Sequence, residues 1–415
     1  MKIEKVEKLF LRMFTSFVRQ TGLDWKEGQM NTEDWESLLA LSAYHQIIPI
    51  IYEAAAQMDE FRRQPPAVAG MWKKESMMAV ARQVRMTKEF LFLYKGMEKM
   101  GLRPFVMKGI ICRNLYPKPD YRLSSDEDIF ISRKDFWKMD EYLVKRGFKR
   151  TENDEELKGK LHSVHEVGYR NVQTGFYLEV HLSLFAEESD AYGGFNRLFT
   201  DLHKKAVSEN VEGNDVWTLD YTDHFLYLLC HSAKHFLHSG FGVRQLFDMI
   251  LFAENYGDRI DWNDIVKKTK RAHIYVFMIH LFDIGVRYLG FDPHKACWPF
   301  HLQELDGTLD SEDLLNDILA GGVFGTSTRE RQHSANITLA AANGGKKARG
   351  LRASLFPNLS YMKKRYSYMK RHPWMLPIGW AHRLLEFVFK KEADGRKTVE
   401  IGNRRVALLK KYKMI

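Results

Sequence analysis

A chain of 415 residues, 45% apolar and 13% aromatic, can build roughly two to four packed domains and is not a low-complexity or disordered polymer. Its three cysteines, Cys112, Cys230 and Cys297, lack C-x-x-C spacing, which argues against a disulfide framework and fits a reducing, cytoplasmic setting. The net charge of +10 is uneven: residues 343–415 carry 19 Lys/Arg against 4 Asp/Glu, so the remainder is slightly acidic. Either an anionic partner for the C-terminal region or a solubilising helical face accounts for that asymmetry.

The N-terminus, MKIEKVEKLFLRMFTSFVRQ, interrupts its apolar residues with charges every few positions. It reads as an amphipathic helix and lacks the apolar stretch of a signal peptide. No apolar run of about 18 residues occurs, so no transmembrane helix is expected. Residues 1–100 are predicted to form a helical lobe. WESLLALSAYHQIIPIIYEAAAQ carries the 3.6-residue period, and a second long helix is expected over 72–100, ended by Gly101. Its Met-rich stripe reads as core filler.

Residues 101–215 are predicted as a small mixed α/β core. A buried strand is expected over 103–107, a short helix over 110–116 closed by Pro117 and Pro119, a strand over 126–131, and an amphipathic helix over 134–147 ending in a glycine. A third strand is expected to begin at Phe148, and VHEVGYRNV and GFYLEVHLSLF to form a hairpin about Gln173-Thr174-Gly175. Residues 216–320 return to helices lining a cleft. Residues 321–349, rich in Gly, Ser, Thr and Asn, are read as a loop, and the rest of 321–415 as a basic helical region. The fold class is therefore α+β: a small mixed sheet flanked by N-terminal and C-terminal helical lobes.

The chemistry concentrates in KG-x12-RLSSDED. Asp126 and Asp128 sit two apart on a predicted strand, so both carboxylates point one way and Glu127 the other. Two like charges held side by side call for a cation. Mg²⁺, a hard ion, takes one or two carboxylates together with substrate phosphates. Without the ion, the pair is expected to cost stability. The Lys108-Gly109 turn precedes a helix N-terminus that offers free N–H groups to an anion, and Arg122, Ser124 and Ser125 can add phosphate contacts. Glu179 in YLEVHLSLF shares a strand face with Tyr177 and His181, and an acid set among apolar residues needs a cation or hydrogen bonds. His231 and His235 lie one helical turn apart. They lack the Glu of H-E-x-x-H, so nucleotide or acceptor contact from a cleft helix, or a structural role, suits them better than a metal. Arg244 and Asp248, also four apart, read as a helix-surface or interlobe ion pair.

The run FVMKGIICRNLYPKPDYRLSSDEDIFI, followed by a helix ending in Gly147-Phe148, resembles the uncharacterised nucleotidyltransferase family of the polymerase-beta-like superfamily. Glu179-Val180-His181 is similar to that family's Glu-x-His. His231-Ser-Ala-Lys-His235 with Arg244 and Asp248, and Trp35 to Pro49, are similar to its helical segments. The resemblance implies a metal-dependent transfer of an NMP from an NTP such as ATP to an acceptor, with Asp126, Asp128 and Glu179 holding Mg²⁺ (or Mn²⁺), and Lys108, Gly109, Arg122, Ser125, His231 and His235 contacting nucleotide. The acceptor, whether small molecule, sugar phosphate, protein or RNA end, is not specified. A departure is Lys108-Gly109 where active members of the superfamily often carry Gly-Ser. Alternative readings are an inactive nucleotide- or partner-binding protein of the same fold, and an RNA-binding enzyme whose basic tail stacks bases on Tyr361, Tyr366, Tyr368, Trp374 and Trp380.

Overall fold

The computed structural model describes residues 3–152, 157, 159–299, 309–323, 325, 328–342, 356, 359, 362–363, 366, 368–389 and 395–415. The N-terminal quarter is helical, as expected: Lys5–Arg19, Thr32–Tyr44, Ile48–Ala55, Asp59–Arg62 and Pro66–Lys99. Asn31 caps the second of these by accepting the Asp34 N–H. The long helix starts earlier than the apolar pattern predicts. Pro66 takes its first turn, where a missing N–H costs nothing and the fixed φ suits the helix.

Strand β1 (Phe105–Val106), β2 (Glu127–Phe130), β3 (Phe148–Arg150), β4 (Glu166–Asn171) and β5 (Tyr177–His181) form one mixed sheet of order β1-β2-β5-β4-β3. The pair β2/β5 is parallel and the other three pairs are antiparallel. The β4–β5 hairpin turns where expected. Asn171 Oδ1 accepts the Gln173 and Thr174 N–H groups, and Gly175 takes a positive φ of 73°. A further hairpin, β6 (Val207–Val211) with β7 (Asn214–Thr218), is not expected from the sequence; Glu212 and Gly213 at its two-residue turn both take positive φ. Thr218 Oγ1 donates to Val106 O and fastens this hairpin to β1.

Alternation along the strands sorts the sheet faces. Ile129, Leu178 and Val180 pack with Phe90, Leu93, Tyr94 and Met97 of the long helix and with Met139 and Leu143 of helix Phe136–Lys145. The opposite face carries Asp128, Glu179 and His181 and looks toward helix Tyr221–His238. That helix belongs to a second core, which joins Phe10, Phe14 and Trp35 from the N-terminal helices to Phe225, Phe247 and Phe277. The acidic face thus sits at the seam of two cores.

The expectation of a loop over 321–349 is corrected: Arg329–Ala342 is a helix, while 343–349 lie outside the described residues. Tertiary contacts override its weak propensity. Arg331 pairs with Asp317 at 2.7 Å and donates to Ser239 O, and Thr338 donates to His238 O. In the basic tail, Arg405 of helix Gly395–Lys411 is buried, donating to Phe236 O and His238 O beside Asp317, so part of that charge is structural. Of the tail aromatics, Tyr366 is buried and Trp374 exposed, while Tyr361 lies outside the described residues. Among the described residues, no helix is long and apolar enough to cross a membrane.

Candidate active site

The turn after β1 sets the first wall. Gly109 has φ +46°, and a Cβ there would stand 2.0 Å from Glu127 Oε2, so glycine is required on both counts. Its neighbour Ile110 donates its N–H to Glu127 Oε2 at 3.0 Å, and Arg113 pairs with Glu127 Oε1 at 2.5 Å. Glu127 therefore points away from the cleft, as alternation predicts, and is neutralised in the core. It also takes the helix N-terminal amide that the sequence reading offered to a phosphate.

Asp126, Asp128, Lys108, Gly109, Arg122, Ser124, His231 and Arg244 line one cleft. In the parallel register Asp128 stands beside Glu179, and the ligand atoms of Asp128, Glu179 and His181 lie within 4.8 Å of one another. Asp128 is buried and doubly countered: Lys108 Nζ is 3.1 Å from Oδ2, and His181 Nε2 donates to Oδ1 at 3.0 Å. Burial raises its pKa, but Lys108 and His181 outweigh burial and hold it well below the usual carboxylate range. Asp126 makes no ion pair among the described residues and feels Lys108 only at a distance. Burial first, and the charge of Asp128 second, push it up to about 6. His181 goes the other way from a buried imidazole: its carboxylate partners, Asp128 first, overcome burial and lift it to about 9. Glu179 Oε2 lies 3.7 Å from the same Nε2.

Lys108 keeps its charge for the same reason, because Asp128, Tyr227, Asp126 and Glu179 together outweigh its burial. It also donates to His231 Nε2 at 3.2 Å. A lysine can only donate, so His231 is neutral with its Nε2 lone pair toward Lys108. Burial and Lys108 accordingly press its pKa well down. His235 Nε2 is 3.3 Å from that same nitrogen. His231 thus lines the cleft against Lys108, and His235 stands behind it.

Two arginines depart from the pairings expected of them. Arg122 makes a two-pronged pair with Asp248, 3.1 and 2.5 Å, and Tyr116 OH donates to Asp248 as well. Arg244, expected to pair with Asp248, instead donates to Leu123 O and to Gln46 Oε1 at 2.8 Å, and its buried Nε–H has no hydrogen-bond partner. Burial first, then Arg122, lower its pKa to about 10. Ser125 is exposed and accepts from Gln46, whereas its neighbour Ser124 lines the cleft. Gln46 and Arg244 as cleft-forming neighbours were not legible in the sequence. Glu166, cross-strand from His181, was: counting back from the Gln173–Gly175 turn pairs the two.

The mixed sheet presents Asp128 and Glu179 side by side from two parallel strands, and helix Tyr221–His238 faces them. Residues 31–289 match the family described as uncharacterised nucleotidyltransferase, and the chain belongs to that family. Neither the curated proteins nor the solved structures compared with it give a match.

Proposed function

We propose that this protein transfers a nucleotidyl group from a nucleoside triphosphate to an acceptor hydroxyl and releases pyrophosphate, with Asp126, Asp128 and Glu179 holding Mg²⁺ or Mn²⁺. The observation that carries the reading is the in-register pair Asp128–Glu179 on parallel strands, with Asp126 lining the same cleft. The donor set fits: three carboxylates are hard oxygen ligands, and Asp126, held up near 6 by burial and by the Asp128 charge against the pull of Lys108, is a group a cation would satisfy. Bound there, the ion supplies charge neutralisation for the triphosphate and the departing pyrophosphate.

The chain's own residues do the rest. Lys108, braced between Asp128 and His231, presents its ammonium to the phosphates, and Arg244 presents a buried guanidinium that makes no ion pair among the described residues. In the transfer, a bond forms between the acceptor oxygen and the α-phosphorus as the bond to the bridging oxygen of pyrophosphate breaks. The leaving group takes the bonding pair, and the acceptor's proton passes to Glu179, which stands beside Asp128 and is the more exposed of that pair. Such chemistry rests on positioning and charge neutralisation more than on covalent catalysis.

One observation favours the alternative, a nucleotide-binding protein without turnover: the Lys108 ammonium already occupies Asp128 at 3.1 Å and competes with a metal there. A screen of four α-labelled NTPs with Mg²⁺ or Mn²⁺, read as pyrophosphate release and label transfer, separates the two. Turnover lost in Asp128→Asn supports the transferase. Saturable NTP binding with no pyrophosphate from any of the four supports the alternative.

A further inference from the structure

His181 has a second ring nitrogen, and it does not face the carboxylates of the cleft. Nδ1 lies 3.5 Å from Glu166 Oε2, and the same oxygen is 3.2 Å from Nε2 of His165. Strand pairing builds this arrangement. Glu166 is directly cross-strand from His181, and His165 O accepts the N–H groups of Leu182 and Ser183, which ties the start of β4 to the end of β5.

Hydrogen bonding fixes where the lone pairs point. Ser183 Oγ gives its single proton to Phe185 O, so it can only accept from His165 Nδ1, 3.0 Å away. His165 therefore carries its proton on Nδ1 and turns the Nε2 lone pair to Glu166. His181 directs Nε2 to Asp128, so the ring nitrogen it turns to the same Glu166 carboxylate is Nδ1. Both of these nitrogens are buried and neither makes a hydrogen bond. Two buried imidazole nitrogens and a carboxylate oxygen thus converge, their ligand atoms within 4.8 Å of one another, in an arrangement that a cation displacing the His181 Nδ1 proton would satisfy. His181, with a side chain only 4% exposed, is aimed straight at that point.

We infer that His165 Nε2, His181 Nδ1 and Glu166 form a zinc site distinct from the carboxylate site of the cleft. The set of two imidazoles and one carboxylate suits a borderline ion, whereas Mg²⁺ prefers oxygen alone. The two distances to Glu166 Oε2, 3.2 and 3.5 Å, agree with a zinc ion: ligand atoms about 2.0–2.1 Å from a tetrahedral zinc lie about 3.3–3.4 Å from each other. Each imidazole already hands its remote N–H to an oxygen, Asp128 or Ser183, as metal-binding histidines do. Glu166 is 39% exposed on its side chain, which leaves an entry path and room for a fourth ligand. An ion here locks the His181 tautomer and aims Asp128 into the cleft, so it positions a catalytic carboxylate without touching substrate.

The test uses the full chain, stripped by chelation and titrated with Co²⁺ or Zn²⁺, with bound metal counted after desalting and the Co²⁺ visible spectrum recorded. One equivalent is expected in wild type and in Glu179→Gln, with tetrahedral Co²⁺ bands that Zn²⁺ abolishes. Affinity is expected to fall at least 10-fold in both His165→Ala and Glu166→Gln, each verified as folded by circular dichroism. No stoichiometric binding overturns the inference. So does an ion lost in Glu179→Gln but kept in His165→Ala, which would seat it on Asp128, Glu179 and His181 instead. Because the readout is metal content rather than turnover, failure here leaves the transferase reading standing, and the reverse holds as well.

Discussion

Asp126 and Asp128 share one cleft but are driven to opposite ends of the acidity scale, Asp126 up to about 6 and Asp128 well below the ordinary range. The difference lies in partners: Lys108 and His181 grip Asp128, while Asp126 feels burial and its neighbour's charge.

Asp126→Asn is therefore expected to stabilise the metal-free protein. A carboxyl whose folded pKa is raised is penalised when ionised, so the penalty is present above about 6 and vanishes below the ordinary value of 3.8. A shift of about two units corresponds to at most about 3 kcal/mol. Thermal unfolding should show the variant melting higher at pH 8 and level with wild type near pH 3.5, while transfer is lost. A variant that melts lower at pH 8 would mean that Asp126 makes structural contacts instead.

Asp128→Asn should do the reverse. The sequence alone suggests that either Asp of the pair costs stability, but the structure places that cost on Asp126. Removing the Asp128 charge strands a buried ammonium and a buried imidazolium, a loss of about 3–5 kcal/mol by the rule for breaking a buried ion pair. The pKa of His181, about 9 in the native protein, should fall. A histidine raised in the folded state gives stability that is complete below its unfolded value near 6.5 and lost as pH rises through 9. Wild-type melting should decline over that window. In Asp128→Asn the decline should be shallower, and an equally steep one would remove His181–Asp128 as its cause.

Much of this site is visible in the linear sequence. Period-2 alternation puts Asp128 on the cleft face and Glu127 on the other, and the turn at Gln173-Thr174-Gly175 fixes which residue of β4 meets His181. What alternation cannot supply is contact across the seam. Asp248 has Arg244 one helical turn away and Arg122 126 residues away, and it takes the distant one, because the β2 approach aims that guanidinium at it edge-on. Gln46, at φ 54° between two N-terminal helices, reaches Ser125 and Arg244 only because those helices share a core with the C-terminal ones. Helix Arg329–Ala342 is missed for the same reason, since its polar composition hides contacts made by Arg331 and Thr338.

Lys108→Ala should separate nucleotide from metal. Loss of a charge-assisted contact should weaken NTP binding by about 1–3 kcal/mol, roughly 5- to 150-fold. Divalent-ion affinity without nucleotide should rise, because the ammonium no longer competes for Asp128. Calorimetry on both ligands reads the two effects. If metal affinity falls together with NTP affinity, Lys108 supports the carboxylates rather than rivalling the ion.

Arg122 and Arg244 offer a sharper division, between architecture and recognition. Arg122 closes a fully buried, two-pronged pair with Asp248, to which Tyr116 adds a third hydrogen bond. Arg122→Gln leaves that carboxylate uncompensated and should cost about 3–5 kcal/mol of stability. Arg244 is just as buried but makes no ion pair with a carboxylate among the described residues. It rests on a carbonyl and an amide oxygen, with one N–H unspent and its pKa drawn down to about 10. A desolvated guanidinium in that condition gains most when an anion arrives, because its own burial has already been met by the fold. Arg244→Gln should thus leave the apo melting temperature level or higher, yet lower NTP affinity by about 10- to 100-fold, the range for a charged hydrogen bond. Affinity for the matching nucleoside should be unchanged, because the effect belongs to the phosphates. Melting curves of both variants, set beside calorimetry with NTP and nucleoside, give the answer. A steep loss of stability in Arg244→Gln with nucleotide affinity intact would assign this residue to the scaffold with Arg122, and leave Lys108 as the phosphate-facing cation of the cleft.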